Sequence, residues 1–363
     1  MNMDQTAVNT TLAALIDPST QRPYAASKGG IQNVSIEGDT VSVEIVLGYP
    51  AKSLFDAIRA QVSDALAAVP GVCACRVQVS SVIVAHAVQR GVKVLPNVKN
   101  IVAVASGKGG VGKSTVAVNL ALALVAEGAS VGMLDADIYG PSLPMMLGIH
   151  GHPESPDDKS MNPLTGYGMQ VNSIGFLIEP DSPMIWRGPM ATSALDQLLH
   201  QTNWRDLDYL IVDLPPGTGD IQLTLAQRVP VTGAVIVTTP QDIALLDAKK
   251  GLKMFEKVDV PILGIVENMA GYVCPNCGHV EHIFGAGGGE RMAREYGTEI
   301  LGSLPLDAAI REQADSGQPT VVAQPDSSVA QTYRAMARRI AIQIALRARD
   351  MSAKIPDIVV QRA

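Results

Sequence analysis

From Ile101 onward, short apolar runs recur along the chain at Ile101–Ala105, Val131–Leu134, Tyr209–Val212, Ala234–Val237 and Ile262–Val266. They are rich in Val, Ile and Leu and have almost no polar alternation, the signature of strands covered on both faces of a parallel sheet. Between them, Ser114–Glu127, Ala191–Gln201, Ile243–Lys257 and Glu290–Tyr296 read as helical stretches. Strands alternating with helices in this way predict an α/β fold, a mostly parallel sheet flanked by helices.

The first part of the chain follows a different pattern. A polar helix start at Thr10–Ile16 leads into an Asp17-Pro18 turn, and Gly29–Val34 and Thr40–Leu47 alternate as paired strands about Glu37-Gly38-Asp39. Leu54, Ile58, Val62 and Leu66 make one apolar stripe along a helix over Leu54–Val69, which Pro70-Gly71 ends, and Val72–Val79 is a closing strand. This predicts a small α+β domain over residues 1–89. Val84–Asn100 has no clear periodicity and contains Pro96, so a linker is placed at residues 90–100 and an ATPase-type domain at 101–363. Near the end, Val329, Tyr333, Met336, Ile340 and Ile344 form a stripe flanked by Arg334, Arg338, Arg339, Arg347 and Arg349. Such a helix either packs on the sheet with its arginines in water or lies on a membrane surface.

Composition narrows the function. At 363 residues the chain suits two domains, and 47% hydrophobic against 17% charged residues supplies a large core. A net charge of −7 and only 4% aromatic residues argue against a nucleic-acid binder, which needs cationic surface and stacking platforms. No apolar stretch is long enough to span a bilayer and no targeting segment is evident, so a cytoplasmic protein without a membrane partner is expected. The four cysteines fall in two tight pairs, Cys73/Cys75 and Cys274/Cys277, a spacing for metal or redox chemistry more than for a disulfide framework.

The strongest chemical signal is Gly107-Lys108-Gly109-Gly110-Val111-Gly112-Lys113-Ser114-Thr115, a G-x-x-x-x-G-K-S phosphate loop placed after a strand and at the start of a helix. Its glycines let backbone N–H groups converge on phosphate oxygens, and the helix N-terminus adds positive potential. Lys113 is expected on the β- and γ-phosphate charge and Ser114 on Mg²⁺. The arrangement G-K-G-G-V-G-K-S-T resembles the deviant loop of the MinD/ParA/nitrogenase-iron-protein class. The resemblance implies that Lys108 reaches across a dimer to the partner's nucleotide. It also implies that Asp137 in Leu134-Asp135-Ala136-Asp137 orients the attacking water, that Asp135 supports the Mg²⁺ shell, and that Asp213, ending Tyr209–Asp213, holds a Mg²⁺-bound water. Pro215–Asp220 reads as a switch-like loop. Asn268 is either an adenine-reading amide, as in that class, or a turn former.

Cys274-Pro275-Asn276-Cys277-Gly278 has the form of a metal knuckle that supplies two of four ligands. Three completions present themselves: two such pairs meeting across a twofold dimer around a 4Fe–4S cluster, a compact zinc site with His279 and His282, or a redox dithiol. Alternation puts Cys73 and Cys75 on one face of a strand, where buried core cysteines are the plainer expectation.

Taken with Asp135–Ser142 (DADIYGPS), Trp186–Met190, Asp213–Asp220 (DLPPGTGD), Glu267–Gly278 (ENMAGYVCPNCG), Leu304–Asp307 and Gly317–Pro319, these motifs resemble the Mrp/ApbC family of iron–sulfur cluster carrier ATPases along nearly the whole chain. The N-terminal unit resembles the small domain found in other iron–sulfur assembly factors, although Gly48-Tyr49-Pro50-Ala51 stands where related domains often carry a cysteine. The resemblance implies a homodimer that holds a labile 4Fe–4S cluster between Cys274 and Cys277 of each subunit, hydrolyses ATP slowly, and passes the cluster between assembly scaffolds and apo-proteins. Two rivals share the nucleotide site: a MinD/ParA-like positioning ATPase, which would need a membrane or DNA surface, and an ATP-driven reductase resembling the nitrogenase iron protein.

Overall fold

The structure is a computed structural model and describes residues 4–26, 30–89, 92–178 and 188–347. Gly29, Trp186, Arg187 and Arg349 fall outside the described residues.

The chain opens with α1 (Gln5–Ala14), capped by the Asp4 carboxylate, and a two-residue pairing of β1 (Ile16–Asp17) with β2 (Arg22–Pro23). A three-stranded sheet follows. β3 (Gly30–Glu37) runs antiparallel to β4 (Thr40–Leu47), and β5 (Ala74–Ser81) returns parallel to β4 after α2 (Phe55–Ala67). Val41, Val43, Ile45 and Leu47 alternate inward on β4 and meet Ile58, Val62 and Leu66 of α2, as the two periodicities require. Gly38, at φ +63°, supplies the left-handed residue of the β3–β4 turn.

The larger sheet has eight strands in the order β15-β12-β11-β6-β10-β7-β9-β8. In chain order these are β6 (Val98–Ala105), β7 (Val131–Asp135), β8 (Leu164–Gly166), β9 (Met169–Ser173), β10 (Leu207–Asp213), β11 (Gly233–Thr238), β12 (Ile262–Glu267) and β15 (Ile300–Ser303). All pairings are parallel except that of β8, an antiparallel edge strand. Residues on β6 alternate between two cores. Val102 and Val104 face α3 (Lys113–Ala126) and α11 (Ser328–Ala345), while Ile101, Ala103 and Ala105 face the layer built from α5 (Gly188–His200), α6 (Asp220–Arg228), α7 (Asp242–Lys257) and α8 (Gly288–Glu295). The remaining elements are α4 (Leu143–Leu147), α9 (Ala308–Asp315), α10 (Thr320–Ala323) and a small hairpin of β13 (Tyr272–Val273) with β14 (Val280–Glu281).

The first core continues without a break into the N-terminal unit. A polar cluster seals the contact. Glu127, the C-cap of α3, is buried and accepts the Ser53 N–H (3.1 Å), the Ser53 hydroxyl (2.7 Å) and Arg338 Nη1 from α11 (2.6 Å). A carboxylate at a helix C-terminus opposes the helix dipole, so these donors are what make its burial tolerable.

Several elements depart from their sequence expectations. Helix α1 lies five residues earlier than Thr10–Ile16 suggests, because Asp4 caps it. β6 starts at Val98, and His86, Leu95 and Asn100 are buried, with the His86 ring 3.1 Å from the Asn100 carboxamide. Cys73 is exposed, just before β5, and Cys75 is half-buried, so neither is the core cysteine expected of a strand interior. The C-terminal stripe is resolved in favour of packing: Tyr333, Met336, Ile340 and Ile344 are buried, and Arg339 donates to the Leu301 carbonyl. Among the described residues, no helix is long and apolar enough to cross a membrane.

Candidate functional site

Three strands end together at the middle of the large sheet, and each delivers a piece of one site. β6 runs into the phosphate loop, β7 ends on Asp135, and β10 ends on Asp213, the register partner of Asp135. The carboxyl ends of central parallel strands are where such sheets place their ligands.

The loop's conformation needs its glycines. Gly110 and Gly112 both sit at φ +80°, in the left-handed region. Gly107 passes so close to α7 that a Cβ there would lie 2.1 Å from the Asp247 carbonyl carbon, and one on Gly112 would meet the Asn268 carboxamide at 2.3 Å. The Ser106 hydroxyl donates to the Lys108 carbonyl at 2.9 Å, and Lys108 itself is half-buried. At the start of α3, Lys113 is buried and pairs with Asp213 Oδ1 at 2.5 Å, while its Nζ also reaches the Ser114 hydroxyl at 3.2 Å. Asp213 Oδ2 is buried with no hydrogen-bond partner among the described residues. One oxygen of Asp213 is therefore occupied by the loop lysine and the other is free. This fits a Mg²⁺ shell: a bound phosphate would draw Lys113, and a hard cation would take the carboxylate.

Asp135 is fully buried. Burial, reinforced by the Asp213 charge, pushes its carboxyl up to about 7, against the pull of the Leu143 N–H, Lys113 and the Asp137 N–H. Asp137 is half-buried two residues on; burial raises it as well, with Lys113 pulling down and Asp213 pushing up. The structure thus brings Lys113, Ser114, Asp135, Asp137 and Asp213 into one cluster. Behind it, Gly217, at φ +109°, donates its N–H to the Ser106 carbonyl, which holds the start of the 215–220 loop against the phosphate loop.

Asn268 is buried at the end of β12, and its carboxamide is engaged locally. Nδ2 donates to the Val111 carbonyl at 2.9 Å, and Oδ1 accepts the Met269 N–H at 3.0 Å. Asn268 braces the phosphate loop in this structure, closer to the turn-forming expectation than to a free purine-reading amide.

The cysteine pair hangs from the same strand. Cys274 lies six residues after Asn268, on the β13–β14 hairpin, with the Cys274 N–H donating to the His279 carbonyl and the Gly278 N–H to the Cys274 carbonyl, both at 2.9 Å. Gly278, at φ +72°, closes this turn. The N–H groups of Asn276 and Cys277, with the Cys277 thiol, lower the Cys274 thiol below the usual cysteine value. Cys274 is half-buried and Cys277 exposed. His282 Nδ1 lies 2.6 Å from the Ala270 carbonyl, so one ring nitrogen is taken by the loop. Among the described residues, no group of three or more His, Cys, Asp or Glu side chains is placed to hold a metal ion. The compact Cys₂His₂ site is therefore not formed within the described chain.

Sequence reasoning missed Ser142, Ser173 and the Leu143 N–H, all of which contact Asp135. Ser142 lay inside the quoted DADIYGPS run, but nothing in the sequence paired it with Asp135. Ser173 sits on β9, whose Met169-Gln170-Val171-Asn172-Ser173 contains no apolar run.

Comparison with known proteins agrees with this architecture. Residues 97–341 match the profile of the NUBPL iron-transfer P-loop NTPases, and residues 5–79 that of an iron–sulfur cluster assembly protein family. The chain is 52% identical over 335 residues to the Escherichia coli K12 "Iron-sulfur cluster carrier protein", covering 92% of this chain and 90% of that one. It is 52% identical over 250 residues to the mouse "Iron-sulfur cluster transfer protein NUBPL", covering 68% and 78%. Among solved structures, a nucleotide-binding protein from Archaeoglobus fulgidus in complex with ADP superimposes with a TM-score of 0.56 at 38% identity, covering 64% of this chain and 90% of that one. The phosphate loop, the sheet order around it and the extent of these matches together make this chain a member of the NUBPL iron-transfer P-loop NTPase family.

Proposed function

We propose that this chain is a cytoplasmic, ATP-dependent iron–sulfur cluster carrier that works as a homodimer. Its cargo is a 4Fe–4S cluster held by Cys274 and Cys277 of both subunits and passed from assembly scaffolds to apo-proteins while ATP is slowly hydrolysed. The observation that carries this reading is the short physical path between the two sites. Val111 of the phosphate loop is bonded to Asn268, and the chain runs from Asn268 directly into the hairpin that bears the cysteines. A shift of the loop on binding nucleotide reaches the hairpin through a buried hydrogen bond.

In this reading Gly107–Thr115 would wrap the phosphates, Lys113 would leave Asp213 for their charge, and Ser114 with Asp213 would hold Mg²⁺, which would supply further neutralisation of phosphate charge. Asp137 orients the attacking water, and Lys108 of each subunit reaches the other's nucleotide, so closure and hydrolysis are linked. Two cysteines supply half of a cubane's ligands, so the cargo requires two chains. Exposed Ile243 and Leu246 on α7, with Val273, Val280 and Ile283 of the hairpin, give apolar surface suited to that meeting. The positioning-ATPase rival loses support because the terminal stripe it needs is buried.

The test is anaerobic reconstitution with iron and sulfide, followed by transfer to an apo-ferredoxin with and without Mg·ATP. The reading requires about four irons per dimer, loss of the chromophore in Cys274→Ala, and a nucleotide-dependent transfer rate. A stable reversible redox couple with no transfer would favour the reductase instead.

A further inference from the structure

The two buried carboxylates at the sheet's end have opposite surroundings. Asp213 gives one oxygen to Lys113 and leaves the other unpartnered. Asp135 is held by protein donors on both oxygens. Its Oδ1 accepts the Asp137 N–H at 3.1 Å, and its Oδ2 accepts the N–H groups of Ser142 (3.0 Å) and Leu143 (3.2 Å) and the Ser173 hydroxyl (3.1 Å). Three donors converge on Oδ2, which has two lone pairs, and one takes Oδ1, which keeps a second lone pair, so both oxygens are engaged by the protein itself.

The donors are not scattered. Asp137 stands at one end of the segment 137–143, and Ser142 and Leu143 at the other, so a single carboxylate clamps both ends of the loop that carries Asp137. The fourth donor fixes the clamp itself. Ser173 is the register partner of Asp135 on β9, its own hydroxyl accepts the Gly175 N–H at 3.1 Å, and its N–H donates to Asn172, whose carboxamide donates to Thr202 at 2.7 Å. Between the clamped ends Ile138 is buried, while Tyr139 and Gly140 are exposed. The loop is held at its root and open at its tip.

We infer that Asp135 is a positioning residue for hydrolysis and not a ligand in the Mg²⁺ shell: it holds the segment 137–143 so that the Asp137 carboxylate faces the phosphate site. This rests on the reading of the chain as a Mg·ATPase and reassigns Asp135 within it. Burying this carboxylate beside Asp213 is costly, and the cost is offset by four short-range donors in place of a metal.

The experiment compares full-length wild type with Asp135→Asn, Ser173→Ala and Asp213→Asn. Three quantities are read: single-turnover hydrolysis of ATP, the Mg²⁺ concentration for half-maximal binding of a fluorescent ATP analogue, and hydrogen exchange at the amides of Asp137, Ser142 and Leu143. An asparagine keeps the shape but replaces one acceptor with an NH₂ group, which repels the donors it faces. Asp135→Asn is expected to slow hydrolysis by about 10- to 100-fold through misplacement of Asp137. Its three amides should exchange faster, and its Mg²⁺ midpoint should stay within about threefold of wild type, whereas Asp213→Asn should raise that midpoint by about tenfold or more. Ser173→Ala removes one donor of four and should move hydrolysis and exchange the same way by less; it carries the test if Asp135→Asn does not fold. A Mg²⁺ midpoint raised as far in Asp135→Asn as in Asp213→Asn would overturn the assignment, as would unchanged hydrolysis despite loosened amides. If wild type binds Mg·ATP and hydrolyses none, the ATPase reading fails, and the clamp is then judged on exchange and the Mg²⁺ midpoint alone.

Discussion

Lys113 and Asp213 meet with side chains only 5% and 0% exposed, at the end of a sheet packed on both faces. Cys274 and Cys277 sit half-buried and exposed on a hairpin of two-residue strands. The first site is tied into the core, so its residues are needed for folding as well as for binding. The second touches the body mainly through backbone hydrogen bonds and the Asn268 brace, and can be altered with little consequence for the fold. The difference teaches which site the fold itself builds. The buried charged cluster keeps one carboxylate oxygen without a partner among the described residues, whereas no further His, Cys, Asp or Glu side chains gather round the two thiols there.

This contrast can be broken most sharply at Lys113. Removing one partner of a buried ion pair leaves the other uncompensated, so Lys113→Met should lower stability by about 3–5 kcal/mol as well as abolish nucleotide binding. The double change Lys113→Met/Asp213→Leu should restore much of the stability and none of the binding. Urea unfolding read beside nucleotide titration checks both. If Lys113→Met unfolds at the wild-type midpoint, the pair is not part of the core.

Gly107→Ala comes next. Its Cβ would lie 2.1 Å from the Asp247 carbonyl carbon and 2.5 Å from the Ala248 nitrogen, both backbone atoms of α7, which cannot rotate away. Overpacking of this kind costs about 1–3 kcal/mol, and the nucleotide Kd should rise because the loop must move to relieve it. Gly109→Ala is the control for the stability effect alone, since nothing but the edge of Pro216 lies within 4.0 Å of its Cβ position.

At the hairpin the same logic predicts almost no effect on the fold. Cys274→Ala and Cys277→Ala should each change stability by less than about 0.5 kcal/mol, as surface substitutions do, while iron retention falls to background and nucleotide affinity is kept. Iron measured per dimer after anaerobic reconstitution, beside thermal unfolding, decides it. A loss of several kcal/mol would mean that the cysteines are structural.

The two regions also differ in how far they were legible. The phosphate loop was readable in full because its function dictates residue types at fixed spacing, and β6, β7, β10, β11 and β12 were readable because strands buried on both faces must be apolar throughout. β9 escaped because Asn172 and Ser173, though buried, are satisfied by hydrogen bonds and not by apolar contact, so no hydrophobic run marks them. β15 escaped because Ile300-Leu301-Gly302-Ser303 is too short to show a period. The Asp135 clamp is tertiary: it joins positions up to 38 residues apart, and no local pattern encodes it. The CxxC form was plain, but no further His, Cys, Asp or Glu side chains gather around it among the described residues, so no local pattern could name a partner for it. Cys73 and Cys75 were misjudged because alternation assigns a face without saying whether the strand's end is covered.

The smallest effect concerns the thiols of Cys274 and Cys73 and separates chemistry from accessibility. Cys274 is held below the ordinary cysteine value by the Asn276 and Cys277 N–H groups, whereas hydrogen bonding to Asp39 and its negative charge hold Cys73 above that value. A depressed thiol pKa means that thiolate appears at lower pH; a raised one delays it. Between pH 7 and 8, Cys274 therefore carries the larger thiolate fraction. Lower basicity also lowers intrinsic nucleophilicity, with a Brønsted slope of about 0.4–0.5, so the net advantage is a few-fold and not the full ratio of thiolates. Accessibility points the other way, since Cys73 is the more exposed of the two. Iodoacetamide labelling of the metal-free protein, followed site by site by mass spectrometry across pH, should show Cys274 reacting first by a few-fold at neutral pH, with the gap closing as pH rises and Cys73 ionises. If Cys73 leads throughout, exposure governs reactivity here, and the backbone donors at the knuckle do not prepare a thiolate for metal.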